Sequence, residues 1–223
     1  MCGRFSFVVK KEKVKKALPK VTIEEDWHTS YNIAPTQQAY IVSIQEPNRL
    51  QTMHWGLVPS WSKDGKPNGA LINARIETIL EKPSFREPFR FQRCLVPADS
   101  FYEWRSSGGR KIPFRIMKTD GEMLFFAGIH DVWKTSLKTF SILTTEANAE
   151  MSQIHNRMPV ILKTEEERAA WLSNQTSIDT LLNMCQRPTD GLLQMYRVSE
   201  KINSVKNNAT DLHREVPEDL TLF

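Results

Sequence analysis

The second residue of this chain, Cys2, is the first that could act as a reagent. Methionine aminopeptidase removes Met1 when the next residue is small, and cysteine qualifies. Processing would leave Cys2 with a free α-amine two carbons from its thiol. Unperturbed, these groups titrate at about 7.7–8.0 and about 8.5, so each is part nucleophile near neutral pH. Such a 1,2-aminothiol suits an aldehyde: the amine forms a Schiff base and the thiolate closes a thiazolidine ring. It could equally attack an amide carbonyl. Alone, a cysteine at position 2 is also what chance supplies. Gly3 beside it lets a substrate approach the backbone closely. Arg4 adds a planar guanidinium suited to phosphate.

The elements that must position these residues are short. Apolar runs punctuated by Pro, Asn and Gly predict strands at Tyr40–Ile44, Cys94–Val96, Pro113–Met117, Met123–Ile129 and Phe140–Thr144. Ser106-Ser107-Gly108-Gly109 predicts a hairpin turn. Helices are expected over Lys10–Lys16, stopped by Pro19, and over Ile178–Cys185 before Pro188. A further helix, opened by the capping box Thr164-Glu165-Glu166-Glu167, should run through Trp171. Val198 and Val205 read as a pair that docks as an edge strand. Strands dominate without a βαβ rhythm, which predicts an α+β fold on a mostly antiparallel, barrel-like sheet with peripheral helices.

A length of 223 residues suits one domain spanning 1–223, with 40% hydrophobic and 25% charged residues as in ordinary globular proteins. No run approaches the ~18 apolar residues of a membrane span, and the start lacks a signal-peptide core, so a cytoplasmic protein is expected. Thirty basic against 26 acidic residues leave +4, too mild an excess to prove or exclude a nucleic-acid partner. Cys2, Cys94 and Cys185 form no CxxC pair, so neither a zinc site nor a disulfide framework is expected. Cys94 and Cys185 read as small core residues.

Seven ordered blocks are more specific. They are Met1-Cys2-Gly3-Arg4-Phe5, Tyr31-Asn32-Ile33-Ala34-Pro35, Trp55-Gly56-Leu57-Val58-Pro59-Ser60-Trp61, Asn73-Ala74-Arg75-Ile76-Glu77-Thr78, the run from Arg93 to Trp104, His155-Asn156-Arg157-Met158-Pro159, and Val198-Ser199 with Val205-Lys206-Asn207. In order and spacing the chain resembles, from end to end, the SOS-response-associated peptidase (SRAP) family of abasic-site processing proteins. N-terminal-cysteine amidotransferases also begin Met-Cys-Gly, but they would want an apolar residue where Arg4 stands and an Asn-Gly oxyanion element. The only Asn-Gly here is Asn68-Gly69, in a Pro-rich loop.

The resemblance implies recognition of abasic sites in single-stranded DNA and a thiazolidine crosslink through Cys2 that shields the lesion. It also implies autocatalytic removal of Met1 and lyase-like Schiff-base chemistry. By motif, Cys2 is the nucleophile, and Asn73, Glu103 and His155 are the supporting polar groups. Physical roles fit them. Imine formation needs an acid to expel water, and Glu103, between Tyr102 and Trp104, could shuttle protons unless it merely faces solvent from a strand. His155 could hydrogen-bond the opened sugar, because imidazoles titrate near neutrality, or could be simple surface polarity. Asn73 offers donor and acceptor to orient the amine, or it starts a helix running through Leu80.

Arg4, Arg75 and Arg157 each lie within two residues of Cys2, Asn73 or His155. If those converge, three guanidiniums would make a phosphate clamp; otherwise they are scattered surface arginines. Trp61 and Trp104 could stack bases for about 1–3 kcal/mol each, or be core, as Trp55 should be. Asn32 joins this expected DNA-binding set. Two departures from the family pattern are Ser100, where a small Gly is common, and the loop after Trp61, whose length could differ. Neither metal nor organic cofactor is implied. A monomer is expected, associated with the nucleoid when on DNA. The other readings are a non-covalent single-strand binder with Cys2 still blocked by Met1, and a cysteine peptidase acting on protein substrates.

Overall fold

The computed structural model describes residues 2–23, 27–66 and 70–217. Its larger sheet has seven strands on the path β11-β10-β4-β3-β6-β9, with β5 attached to β10. These are β3 (Gln38–Ser43), β4 (Gln51–Trp55), β5 (Asn73–Arg75), β6 (Arg93–Ala98), β9 (Leu124–Trp133), β10 (Leu137–Glu146) and β11 (Arg157–Pro159). Because β9 also pairs with β10, five of these strands close into a barrel. All its pairings are antiparallel except those of β10 with β4 and with β5. A second, open sheet has the order β12-β8-β7-β1-β2, formed by β1 (Phe5–Phe7), β2 (Ser30–Ile33), β7 (Ser100–Ser107), β8 (Arg110–Lys118) and β12 (Leu193–Arg197). The α+β, barrel-like expectation holds, with two sheets where one was expected.

Aromatic side chains join the sheets. Phe5 meets Trp55 edge-on at 5.0 Å and Phe126 at 6.1 Å, and Phe101 meets Phe126 at 5.8 Å. Trp55 is fully buried, as the sequence suggested, and so are Cys94 and Cys185. Edge-to-face contacts of this kind add to the area that the rings bury.

Local signals are realised where they are local. The β7–β8 hairpin turns on Gly108 and Gly109 at φ +54° and +77°, the left-handed pair that a two-residue turn demands. The capping box opens α4 (Glu165–Trp171), with the Glu167 N–H donating to the Thr164 hydroxyl at 3.1 Å. The other helices are α1 (Lys11–Ala17), α2 (Pro83–Phe91), α3 (Ala149–Ser152) and α5 (Ile178–Met184). Buried Arg93 ties two of them to β6, donating to carbonyls of Phe89 and Arg90 on α2 and of Trp171 on α4.

Two expectations are corrected. Asn73 starts no helix; it lies in β5, and only a 3-10 turn, Ile76–Thr78, follows. Val198 and Val205 do not form an edge strand. Val198 is buried with one bridge to Glu215, while Val205 is 48% exposed. The edge strand is β12, upstream, and the chain beyond it folds into 3-10 turns at Glu200–Asn203 and Thr210–His213. Val198, Ile202 and Leu212 there cover Tyr102 on the outer face of the open sheet. The Asn68-Gly69 pair lies outside the described residues.

Candidate active site at Cys2

Cys2 sits just ahead of β1, and β1 is held by β7 through Phe5↔Phe101 and Ser6↔Ser100. The Tyr102 N–H donates to the Arg4 carbonyl at 2.9 Å, which extends the ladder toward the N-terminus. Carried two residues further, this register lays Gly3 across from Glu103. Glu103 is buried, 3% exposed, so it does not face solvent from the strand. Cys2 is fully buried. Burial, and then the nearby Glu103 carboxylate, raise its thiol well above the ordinary value. The sulfur's nearest polar contact is the Arg4 carbonyl at 3.9 Å, too long to hold a strong bond.

Asn73 comes from the other sheet. Its side-chain amide donates to the Cys2 carbonyl at 2.8 Å, tying the N-terminus to β5. Its Oδ1 is buried and accepts no hydrogen bond from the described residues. A buried amide oxygen without a donor costs about 1–3 kcal/mol, so an N–H or O–H brought to it is favoured. The register Ile142↔Asn73, Leu143↔Ala74 and Thr144↔Arg75 sets Asn73 in line with β10.

His155 enters along the opposite edge of β10, where Arg157 of β11 pairs with Glu146. It is half-buried, and its Nδ1 accepts the Arg157 N–H at 3.0 Å. Nδ1 also lies 3.3 Å from the Arg157 carbonyl, so both main-chain groups of Arg157 face that edge of the ring. Asn73 thus faces Ile142 from one edge of β10, and His155 stands two residues ahead of β11 on the other edge.

The three arginines are not equivalent. Arg75 is exposed. Arg4 turns inward: its Nη1 donates to Asn32 Oδ1 at 2.6 Å and to the Ile202 carbonyl at 2.8 Å. Arg157 is gripped by Glu77 at 2.5 and 2.9 Å and by the Thr144 carbonyl at 2.8 Å. Asn32 is buried and spent within the chain, its amide donating to the carbonyls of Ser204 and Asn207 at 3.0 and 2.8 Å. Thus Arg4 and Asn32 clasp β1 and β2 to the segment after β12, and the picture of three open guanidiniums is reduced to Arg75.

Trp61 projects from the loop after β4, 66% exposed, beside a cavity of about 270 Å³ that Leu57, Pro59 and Leu71 help to line. The loop is anchored on β9: the Ser60 N–H donates to Asp131 at 2.7 Å and the Trp133 indole N–H to the Ser62 carbonyl at 2.7 Å. Trp104 is half-buried, its indole N–H given to Asn203 at 2.8 Å. Ser100, the departure noted above, is fully buried, its hydroxyl accepting from Arg115 at 2.8 Å and 2.6 Å from the Ser6 hydroxyl. Among the described residues no three His, Cys, Asp or Glu side chains gather as metal ligands would. Glu77 and Thr144 were missed; Glu77 stands within a quoted motif, but its partner lies 80 residues away.

Known proteins are similar to this chain over most of its length. The chain is 40% identical over 225 aligned positions to the abasic site processing protein YoqW of Bacillus subtilis (strain 168), covering 95% of this chain and 98% of that protein. It is 29% identical over 258 positions to the abasic site processing protein HMCES of Gallus gallus, covering 95% and 76%. A crystal structure of a protein from Bacteroides thetaiotaomicron superposes with a TM-score of 0.84 at 29% identity, covering 96% of this chain and 100% of that one. The family model for SOS response associated peptidase (SRAP) matches residues 1–205, and the chain belongs to that family.

Proposed function

We propose that this protein captures abasic sites in single-stranded DNA as a covalent thiazolidine through Cys2, after loss of Met1, and so shields the lesion. The observation that carries the reading is the Asn73 amide, bound to the Cys2 carbonyl with its acceptor oxygen unsatisfied, beside the buried Glu103. The names of the relatives, abasic site processing proteins, point to the same substrate.

The Cys2 amine adds to the aldehyde carbon of the ring-opened sugar, giving a carbinolamine. The Glu103 carboxylate takes the proton that the nitrogen sheds and hands it to the carbinolamine hydroxyl, water leaves, and an imine remains. The Cys2 sulfur then adds to the imine carbon, and its proton passes to the nitrogen, closing the ring. The buried thiol is protonated at neutral pH, which favours attack by the amine first. Asn73 Oδ1 accepts from the amine and orients it, and His155 hydrogen-bonds the opened sugar. Exposed Arg75 supplies phosphate attraction and Trp61 a stacking face. Removal of Met1 by the protein itself and lyase-like cleavage through the imine belong to this proposal, as does a monomer acting on DNA. The sealed Cys2 favours a second reading for the unprocessed chain, in which binding to DNA is non-covalent.

Denaturing electrophoresis after mixing with uracil-DNA-glycosylase-treated single strands tests the proposal. Wild type should give a heat-stable adduct, Cys2→Ala none, and Cys2→Ser at best a labile one. An adduct from Cys2→Ala would assign the chemistry to another nucleophile.

A further inference from the structure

Resting on that reading, the geometry points to Glu77 as a built-in competitor of the DNA backbone: its carboxylate occupies the phosphate seat of Arg157 until a strand displaces it. Arg157 is the inner partner, its side chain 12% exposed against 43% for Glu77, so the carboxylate lies over the guanidinium on the solvent side. Glu77 Oε1 takes Nη1 at 2.5 Å and Oε2 takes Nη2 at 2.9 Å, the two-pronged geometry that a phosphate also adopts on arginine.

The seat is prepared from behind. Nη2 also donates to the Thr144 carbonyl at 2.8 Å, so the guanidinium keeps its orientation when the carboxylate swings away. Arg157 Nε is buried and has no hydrogen-bond partner among the described residues, so exchange takes place at the outer fork, under the more exposed Glu77. Arg75 follows Asn73 by two residues on the other flank of β10 and acts on Glu77 from that side. Burial raises the Glu77 carboxyl, but hydrogen bonds and charge from Arg157, with Arg75, outweigh it and hold the group below its ordinary value. Glu77 is therefore anionic at neutral pH and must be displaced as a charge. One bidentate anion replaces another at little net cost, and the strand must present a phosphate at that one place to gain the contact. Glu77 thus lowers affinity for DNA in general and is a specificity-determining residue rather than a catalytic one.

The test uses an intact single strand, so that binding is read without covalent capture, on the full chain with Cys2 in place. Glu77→Gln should bind about three- to tenfold tighter than wild type. The slope of log K against log salt should steepen by up to about 0.7, because no freed carboxylate takes up a cation to offset the counterions that the phosphate releases. In an Arg157→Ala background the same change should gain nothing, because the seat is gone. Equal or weaker binding by Glu77→Gln, or a gain that survives Arg157→Ala, overturns the inference. If Glu77→Gln does not fold by thermal melting, Glu77→Ala, which removes both the charge and the two-pronged reach, carries the same criteria. Adduct formation by wild type on abasic DNA is a separate readout. Its failure would remove the proposed chemistry, while the intact-strand comparison would still judge Glu77.

Discussion

In the proposed reaction, Asn73 and Glu103 divide the work at Cys2 between a fixed contact and a proton carrier. Asn73 holds the backbone of Cys2 and keeps one oxygen for the reacting group, whereas Glu103 touches the thiol through its charge. If Glu103 delivers the proton that expels water, Glu103→Gln should slow adduct formation by about 10²-fold. Affinity for intact single strands should stay within about twofold, since Glu103 is buried away from any phosphate. Stopped time courses and equilibrium binding on the same preparation check this, and an unchanged rate would transfer the proton role to His155. The burial of Glu103 was legible in its setting between Tyr102 and Trp104. The engagement of Arg4 and Arg157 was not, because their partners Asn32, Ile202 and Glu77 stand 28, 198 and 80 residues away.

Among the elements, the clasp made by Asn32 has the clearest energetic consequence. Its side chain binds Arg4 and two carbonyls of the segment after β12, so it holds the start of β1, and hence Cys2, against the open sheet. Asn32→Ala would strand those carbonyls and one guanidinium edge, costing about 2 kcal/mol in urea unfolding. It should also slow adduct formation by loosening Cys2 from Asn73. Unaltered stability would show that water replaces the clasp without cost. What sequence could show of the elements follows their locality. The Gly108-Gly109 hairpin and the Thr164 capping box are decided within a few residues, and both were foreseen. β1 and β5 have three residues each and exist only through distant partners, β7 and β10, so no local pattern marks them. Val198 and Val205 failed as a strand because the 3-10 turn between them buries one and exposes the other.

For the molecule as a whole, two histidines tie stability to pH. Burial, aided by Lys138, depresses His130 to about 4, and burial with Arg115 does the same to His213. An unfolded histidine takes its proton near 6.5, so between about pH 6.5 and 4 the unfolded chain binds more protons than the folded one. Stability is therefore fully present above about 6.5 and falls as pH drops through that window. His130 contributes on the order of 3 kcal/mol of that loss. Urea midpoints should decline between pH 7.5 and 5, and His130→Gln should flatten the decline; a constant midpoint would mean that neither imidazole stays neutral in the fold. Charge at this scale is modest, +4 in total, so DNA affinity must come from local arrangement. In the proposed function, exposed Arg75 and Trp61, and Arg157 behind Glu77, supply that arrangement.

Whether Cys2 ends in a closed ring is read from intact mass. Protein confirmed to lack Met1 is mixed with abasic single-stranded DNA, and the adduct is weighed before and after borohydride. The adduct should have the summed mass less one water, unchanged by borohydride, because a thiazolidine has no C=N bond to reduce. A gain of two hydrogens would identify an imine that never closes onto the sulfur. No adduct at all would contradict covalent capture.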